Sequence, residues 1–205
     1  MTADPKIAVL DYGIGNLRSA EKALQYVGAD ARLVSEAAEV ESADAVVLPG
    51  VGAFGACARA LRESGLEKAA LGALGAGVPF FGVCIGFQLL YRGSVESPEA
   101  EGLGVFPGTV ERLPDGVKHP QMQWNRLEPR VDEPAPLRGL GEAPWVYFVH
   151  SYAPPVGEET VATCDYGGPV AALVARGTLW GAQFHPEKSG RSGLALLSNF
   201  VALAA

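Results

Sequence analysis

From Ala69 to Tyr91 the chain carries no Asp, Glu, Lys or Arg, about the length of the ~20 apolar residues that cross a bilayer as one helix. No other feature constrains the fold as sharply. Gly72, Gly75, Gly77, Pro79, Gly82 and Gly86 all fall inside it. Each glycine costs a helix interior about 1 kcal/mol and a proline about 3 kcal/mol, so a continuous span is disfavoured. The segment reads instead as a helix end, a turn, a buried strand VPFFGV, a second turn at Cys84 and a new helix. A strand apolar at every position belongs in a parallel sheet covered on both faces.

The neighbouring sequence agrees. KIAVLDYG, ADARLVS and SADAVVLPG read as short buried strands. Between them, NLRSAEKALQYVG places Leu17, Ala20, Ala23 or Leu24, and Val27 on one helical face, with Asn16 as N-cap and Gly28 as stop. CARALRESG and LEKAALGAL are helical before the apolar strand. After Gly93 the pattern changes to β-like runs, TVERL, WVYFVHSY, TVATCDY and VAALVARGTLWGAQFH, closed by the amphipathic helix GRSGLALLSNFVALAA. The expectation is an α/β fold over one domain, residues 1–205. It has a mostly parallel central sheet with helices on both faces, plus additional antiparallel strands in the C-terminal half.

Composition excludes several functions. The formal net charge is −7 with no basic run, which disfavours nucleic acid or an anionic membrane as partner. Cys57, Cys84 and Cys164 are widely spaced and lack a CxxC pair. A disulfide framework or zinc cluster is therefore not expected, and a reducing, cytoplasmic setting is. The N-terminus shows no basic region followed by a long apolar one, so no signal peptide is read there.

GVCIG, residues 82–86, matches the G-x-C-x-G form of a nucleophile elbow, a strained strand-to-helix turn that needs small neighbours. A thiol there projects at the carboxyl end of a strand, where open α/β sheets build their sites. The following helix would favour thiolate, and the Ile85 amide would donate to an oxyanion. Buried structural cysteines are also common, and the bracket alone leaves the two readings level. Three histidines are available as a base: His119, His150 and His185. In QFHPEKSG, Pro186 opposes helix, and an extended backbone puts His185 and Glu187 on one face. That supplies the base and the orienting acid of a Cys–His–acid set. His119 and His150 are read as structural or binding residues. GVGAFG, residues 50–55, matches G-x-G-x-x-G only superficially: its strand is third in order and no acid-tipped strand follows. Its free backbone N–H groups suit the second wall of an oxyanion hole better.

GVCIGFQLL, PGVGAFG and QFHPEKS together resemble the class I, or triad, glutamine amidotransferases. DYGIGNLRS, MQWN, YFVHSY and HPEKSGRSGLALLSNF narrow the resemblance to the glutaminase subunits of imidazole glycerol phosphate synthase. The resemblance implies Cys84 as nucleophile, His185 as base and Glu187 as orienting acid. It also implies an oxyanion hole of backbone groups at Gly50, Val51, Gly52 and Ile85. Gln88, Ser151 and Tyr152 correspond to residues that contact glutamine. No metal or organic cofactor is implied. The implied partner is a cyclase subunit, a (β/α)8 barrel, forming a heterodimer that receives ammonia directly. Tyr12 and Asn16 in the YGIGN turn, with Met122, Trp124 and Asn125 in a MQWN loop, are expected on the contact side. Gln123 stands where the family usually has glycine, which raises the question of that loop's conformation. Three rivals are a non-enzymatic redox or scaffold protein on this fold, the glutaminase component of another synthase, against which YFVHSY and HPEKSG argue, and a cysteine-containing α/β-hydrolase. The latter expects its acid before the histidine, whereas Glu187 follows His185.

Overall fold

A computed structural model describes residues 4–205. The first half alternates as read, except that α2 forms where the sequence suggested only a polar connection: β1 (Lys6–Leu10), α1 (Leu17–Tyr26), β2 (Asp30–Val34), α2 (Ala37–Glu41), β3 (Ala45–Gly50), α3 (Phe54–Glu63), α4 (Leu66–Gly75), β4 (Phe80–Cys84) and α5 (Ile85–Gln88). The second half is mostly strand: β5 (Tyr91–Ser94), β6 (Phe106–Arg112), β7 (Gln121–Arg126), β8 (Glu128–Pro129), β9 (Trp145–His150), β10 (Tyr152–Ala153), β11 (Thr160–Asp165), β12 (Pro169–Arg176) and β13 (Leu179–Ala182), closed by α6 (Gly190–Val201).

Eight strands form the main sheet in the order β2-β1-β3-β4-β13-β12-β11-β8. The first five are parallel neighbours, and the last three continue antiparallel. Every residue of β3 and β4 is buried, as expected for apolar strands covered on both faces. Right-handed crossovers explain the layering. The chain steps one way from β1 to β2 and the other way from β2 through β3 to β4, which sends α1 to one face and α2, α3 and α4 to the opposite one. α6 returns to the first face and packs beside α1. It inserts Phe200 against Phe81 and Trp180, with ring centroids 5.3 and 5.8 Å away. Each such fully buried aromatic stabilises by roughly 1.5–3 kcal/mol.

Two expectations are corrected. The apolar run after Cys84 makes only the single turn α5, not a longer helix. Beyond Gln88 the carbonyls of Leu89 and Leu90 accept from Leu103 and Phe106 at 2.7 and 2.9 Å, so pairing with the segment leading into β6 outcompetes helix propagation. MQWN is not a loop either. It lies in β7, which pairs antiparallel with β9 as a ribbon, Gln123 opposite Phe148. Gln123 is exposed on ordinary backbone with no positive φ, so a side chain is accommodated there. Among the described residues no helix is long and apolar enough to cross a membrane.

Candidate active site

The register of three parallel neighbours gathers the distant motifs at one edge. Gly50, at the end of β3, is the Cα partner of Cys84, at the end of β4. Ala182, at the end of β13, pairs with Val83, so His185 emerges three residues later at the same carboxyl edge. This is where parallel sheets present their ligands.

Cys84 has φ 55° and ψ −110°, a conformation that costs a residue with a side chain on the order of 1–3 kcal/mol. The two glycines make it attainable. A Cβ on Gly86 would overlap the Leu48 carbonyl oxygen, and one on Gly82 would stand 2.8 Å from Gly86 O and Phe87 Cα. The elbow therefore folds back onto β3 as well as β4, and the bracket is a packing requirement. Because α5 is only four residues long, its dipole is small. The expected assistance of a helix N-terminus to the thiolate is accordingly reduced.

The titratable group set beside the thiol is His185. The Nδ1 atom of His185 lies 2.8 Å from Glu187 Oε1, and His185 lines the same cleft as Cys84. Burial alone would push the imidazole down. The hydrogen bonds and negative charge of Cys84 and Glu187 outweigh it and hold His185 up to about 10. The contact between His185 and Glu187 differs from the expected one in its cause. His185 is extended, but Pro186–Lys188 forms a 3-10 turn, and the two side chains meet across that turn rather than by strand periodicity. Ser189 fixes the turn: its Oγ donates to His185 O at 2.6 Å and accepts from Tyr147 N at 3.0 Å.

A cleft of about 280 Å³ opens above the thiol, lined among others by Val51, Gly52, Cys84, Ile85, Gln88 and His185. Ser151 and Tyr152 also line it. Gln88 is buried and anchored, its Nε2 donating to Tyr152 O at 2.8 Å and to Gln183 Oε1 at 3.1 Å, while its Oε1 has no protein partner. A larger hollow of about 360 Å³ between α2 and α4 is lined mainly by alanine, glycine and valine, with Glu41 and Lys68 its charged groups. Neither a thiol nor an imidazole lines it.

Several residues at the site were not singled out by sequence. Glu96 lines the cleft and its Oε2 accepts from Phe54 N at 2.8 Å. It sits in the polar stretch SVESPEA, where nothing local marks it. Gln183 directs its Nε2 toward Cys84 Sγ at 3.8 Å. His150, read as structural or binding, lines the cleft with Nδ1 2.9 Å from Tyr152 O. Burial depresses it to about 4, so it is neutral and a poor proton acceptor near neutral pH. His119 sits apart, 3.2 Å from Pro114 O.

The expected contact residues divide. Met122 and Trp124 are exposed at 60% and 48%. Asn125 donates from Nδ2 to Asp165 O at 2.9 Å. Asn16 occupies the N-cap position of α1, but its side chain does not cap the helix; Nδ2 reaches Glu187 Oε1 at 3.3 Å. Tyr12 requires correction. It is buried at 5% exposure, its hydroxyl donating to Pro49 O at 2.6 Å, so it supports the turn after β3 rather than facing a partner.

A thiol, an imidazole and a carboxylate in that order, beneath a cleft lined by Val51, Gly52 and Ile85, are parts suited to acyl transfer through a thioester. Similarity to known proteins points the same way. Residues 8–204 match the family described as glutamine amidotransferase class-I. The imidazole glycerol phosphate synthase subunit HisH of Salinibacter ruber is 47% identical over 204 residues, covering 95% of this chain and 93% of that protein. The HisH subunit of Deinococcus radiodurans is 48% identical over 202 residues, covering 97% and 94%. A crystal structure of a glutamine amidotransferase superposes with a TM-score of 0.76 at 27% identity, covering 97% of this chain and 98% of its own.

Proposed function

Because the chain belongs to the class-I glutamine amidotransferase family, we propose that it is the glutaminase subunit of imidazole glycerol phosphate synthase in histidine biosynthesis. It hydrolyses glutamine to glutamate and ammonia, and the ammonia passes to a separate cyclase subunit. One observation carries the reading: the Cys84–His185–Glu187 chain is assembled beneath a cleft that also holds the anchored Gln88.

The Cys84 thiolate attacks the carboxamide carbon of glutamine, and the carbonyl electrons move onto oxygen. Backbone N–H groups of the Gly50–Gly52 turn and of Ile85 receive that oxyanion. His185, held protonated by Cys84 and Glu187, donates its proton to the departing nitrogen, so ammonia leaves and a γ-glutamyl thioester remains. Water then adds to the thioester with His185 accepting its proton, and glutamate and the thiolate are released. Gln88, Ser151 and Tyr152 bind the substrate. Nothing in these steps calls for a metal or an organic cofactor.

Free ammonia near neutral pH is mostly ammonium, which is not a nucleophile, so the product must be handed over directly. The receiving partner is the (β/α)8-barrel cyclase, joined as a heterodimer in the cytoplasm, with residues 1–205 acting as one glutamine amidotransferase domain. Glutamate release measured with and without that cyclase and its nucleotide ligand tests the reading. Wild type should respond to the partner. Cys84→Ala should release no glutamate while keeping the wild-type fold by circular dichroism; retained hydrolysis would overturn the assignment.

A further inference from the structure

Gln183 is the first residue beyond β13, and its carboxamide is fully buried. Ala182 pairs with Val83, so the next residue along stands level with Cys84. The Gln183 backbone is held there by its N–H, which donates to Ala172 O at 2.9 Å. From that position its Nε2 lies 3.8 Å from Cys84 Sγ, a long contact but within reach of the large sulfur atom.

Which end of the carboxamide faces the sulfur is dictated by a chain that starts at a backbone carbonyl. Tyr152 O can only accept, so the Gln88 atom 2.8 Å from it must be Nε2. That nitrogen carries donors alone, so the Gln183 atom 3.1 Å from it must be Oε1. The Nε2 of Gln183 is left to point at Cys84. The reverse orientation would set donor against donor at one end and oxygen against sulfur at the other.

Burying a carboxamide is costly unless its polar atoms are paired. The Gln183 oxygen is paired with Gln88, and its nitrogen is turned to the sulfur. A neutral thiol is a weak acceptor, whereas a thiolate accepts a charge-assisted bond that is shorter and roughly twice as strong. The carboxamide therefore favours Cys84 as thiolate, independently of the imidazolium of His185. The bond weakens once the sulfur is acylated. It strengthens again as water bonds to the acyl carbon, the C–S bond breaks and its electron pair returns to sulfur.

We infer that Gln183 is a further catalytic residue of this site: its Nε2, oriented through Gln88 from Tyr152 O, donates to the Cys84 sulfur and stabilises the thiolate that attacks glutamine and later leaves the thioester. This rests on the reading of Cys84 as nucleophile.

The test compares wild type with Q183M and Q183L, each in complex with the cyclase subunit. Both replacements are close to glutamine in volume and lack the donor, and Gln88 keeps its bond to Tyr152 O. Alkylation of Cys84 by iodoacetamide, mapped by mass spectrometry as a function of pH, reports the thiolate without glutamine present. Losing the donor should move the alkylation midpoint up by about half to one pH unit, the difference between hydrogen bonds to charged and to neutral acceptors. Reactivity on the acid side should fall about three- to tenfold. The alkaline plateau should stay at or above wild type, because a less stabilised thiolate is the better nucleophile. Glutamine turnover should fall with the same acid-side dependence. A side chain that merely supported the fold would lower the rate at every pH. A midpoint unmoved in both variants, or a plateau lowered in step with the acid limb, overturns the inference. Cys84→Ala tests the underlying reading separately: if that variant still hydrolyses glutamine, the nucleophile assignment falls and the catalytic role of Gln183 with it, whatever the alkylation profile shows.

Discussion

Asn16 and Glu187 lie at opposite ends of the chain, yet Asn16 Nδ2 donates to Glu187 Oε1 at 3.3 Å, the same oxygen that faces His185 Nδ1 at 2.8 Å. The second donor fixes which carboxylate oxygen the imidazole meets. Hydrogen bonds to charged groups contribute about 1.5–3 kcal/mol, and a long, half-buried one belongs near the lower end. Asn16→Ala should therefore lower kcat about three- to tenfold with little change in KM. Asn16→Asp, which sets a second carboxylate against Glu187, should lower it further. Steady-state kinetics and calorimetry with the cyclase separate the roles: an unchanged kcat with weakened association would return Asn16 to the contact surface.

How much of this was legible beforehand depended on whether the cause was local. Gly82 and Gly86 mark the elbow because two close backbone approaches exclude side chains, and a steric rule leaves its trace in sequence. The parallel strands were legible because burial on both faces demands apolar residues throughout. MQWN did not read as a strand: its pairing is set by β9, more than twenty residues on. FQLLY read as helix until the segment entering β6 captured its carbonyls. The links Asn16–Glu187, Glu96–Phe54 and Cys57–Val51 are side-chain meetings made by topology, and no spacing rule announces them.

The imidazolium of His185 should depend on its sulfur partner. Its protonation persists to about 10 because hydrogen bonds and charge from Cys84 and Glu187 outweigh burial. Removing a partner removes a raising influence while burial remains. Cys84→Ala and Glu187→Gln should each move the His185 midpoint down, toward or below its ordinary 6.5. The raised value makes a stabilising contribution that is complete below 6.5 and lost as pH climbs toward 10. Imidazole NMR titrations of the three proteins, with denaturation at pH 6 and 9, check both statements. A His185 midpoint unmoved by Cys84→Ala would refute the coupling.

His150 should act with the opposite sign. Burial holds it down to about 4, so the unfolded chain takes up a proton at a pH where the native site does not. Its contribution is intact above 6.5 and lost as pH falls through 6.5 toward 4, amounting to roughly 3 kcal/mol at the acid end. His150→Gln removes the titration, so the fall in stability between pH 7 and 4 should be shallower by about that amount in urea unfolding. An equally steep fall in the variant would show that other groups cause it.

Gly86→Ala should be among the most damaging single changes in the chain. The added Cβ overlaps the Leu48 carbonyl oxygen, a backbone atom of β3 that cannot swing away. Overpacking against movable side chains costs about 1–3 kcal/mol, and against backbone the cost should exceed that range. Thermal unfolding should show a large loss, or no soluble protein. Gly72→Ala, on α4 with nothing within 4 Å of the new Cβ, is the control. It should be neutral to stabilising by up to about 1 kcal/mol.

The β7–β9 ribbon exposes large apolar side chains. Met122, Trp124 and Trp145 are 60%, 48% and 53% exposed, and Trp124 packs edge-on against Tyr147 with centroids 6.1 Å apart. The same ribbon runs into His150 and binds His185 N through Tyr147 O at 3.0 Å, so a partner seated on it adjoins the site without blocking the cleft. Buried aromatic anchors commonly contribute 2 kcal/mol or more to an interface, about a thirtyfold change in affinity. Trp124→Ala should weaken binding to the cyclase by at least that factor in calorimetry. Glutamine turnover at saturating partner should stay near wild type, since the side chain does not line the cleft. Unaltered affinity would move the contact surface elsewhere.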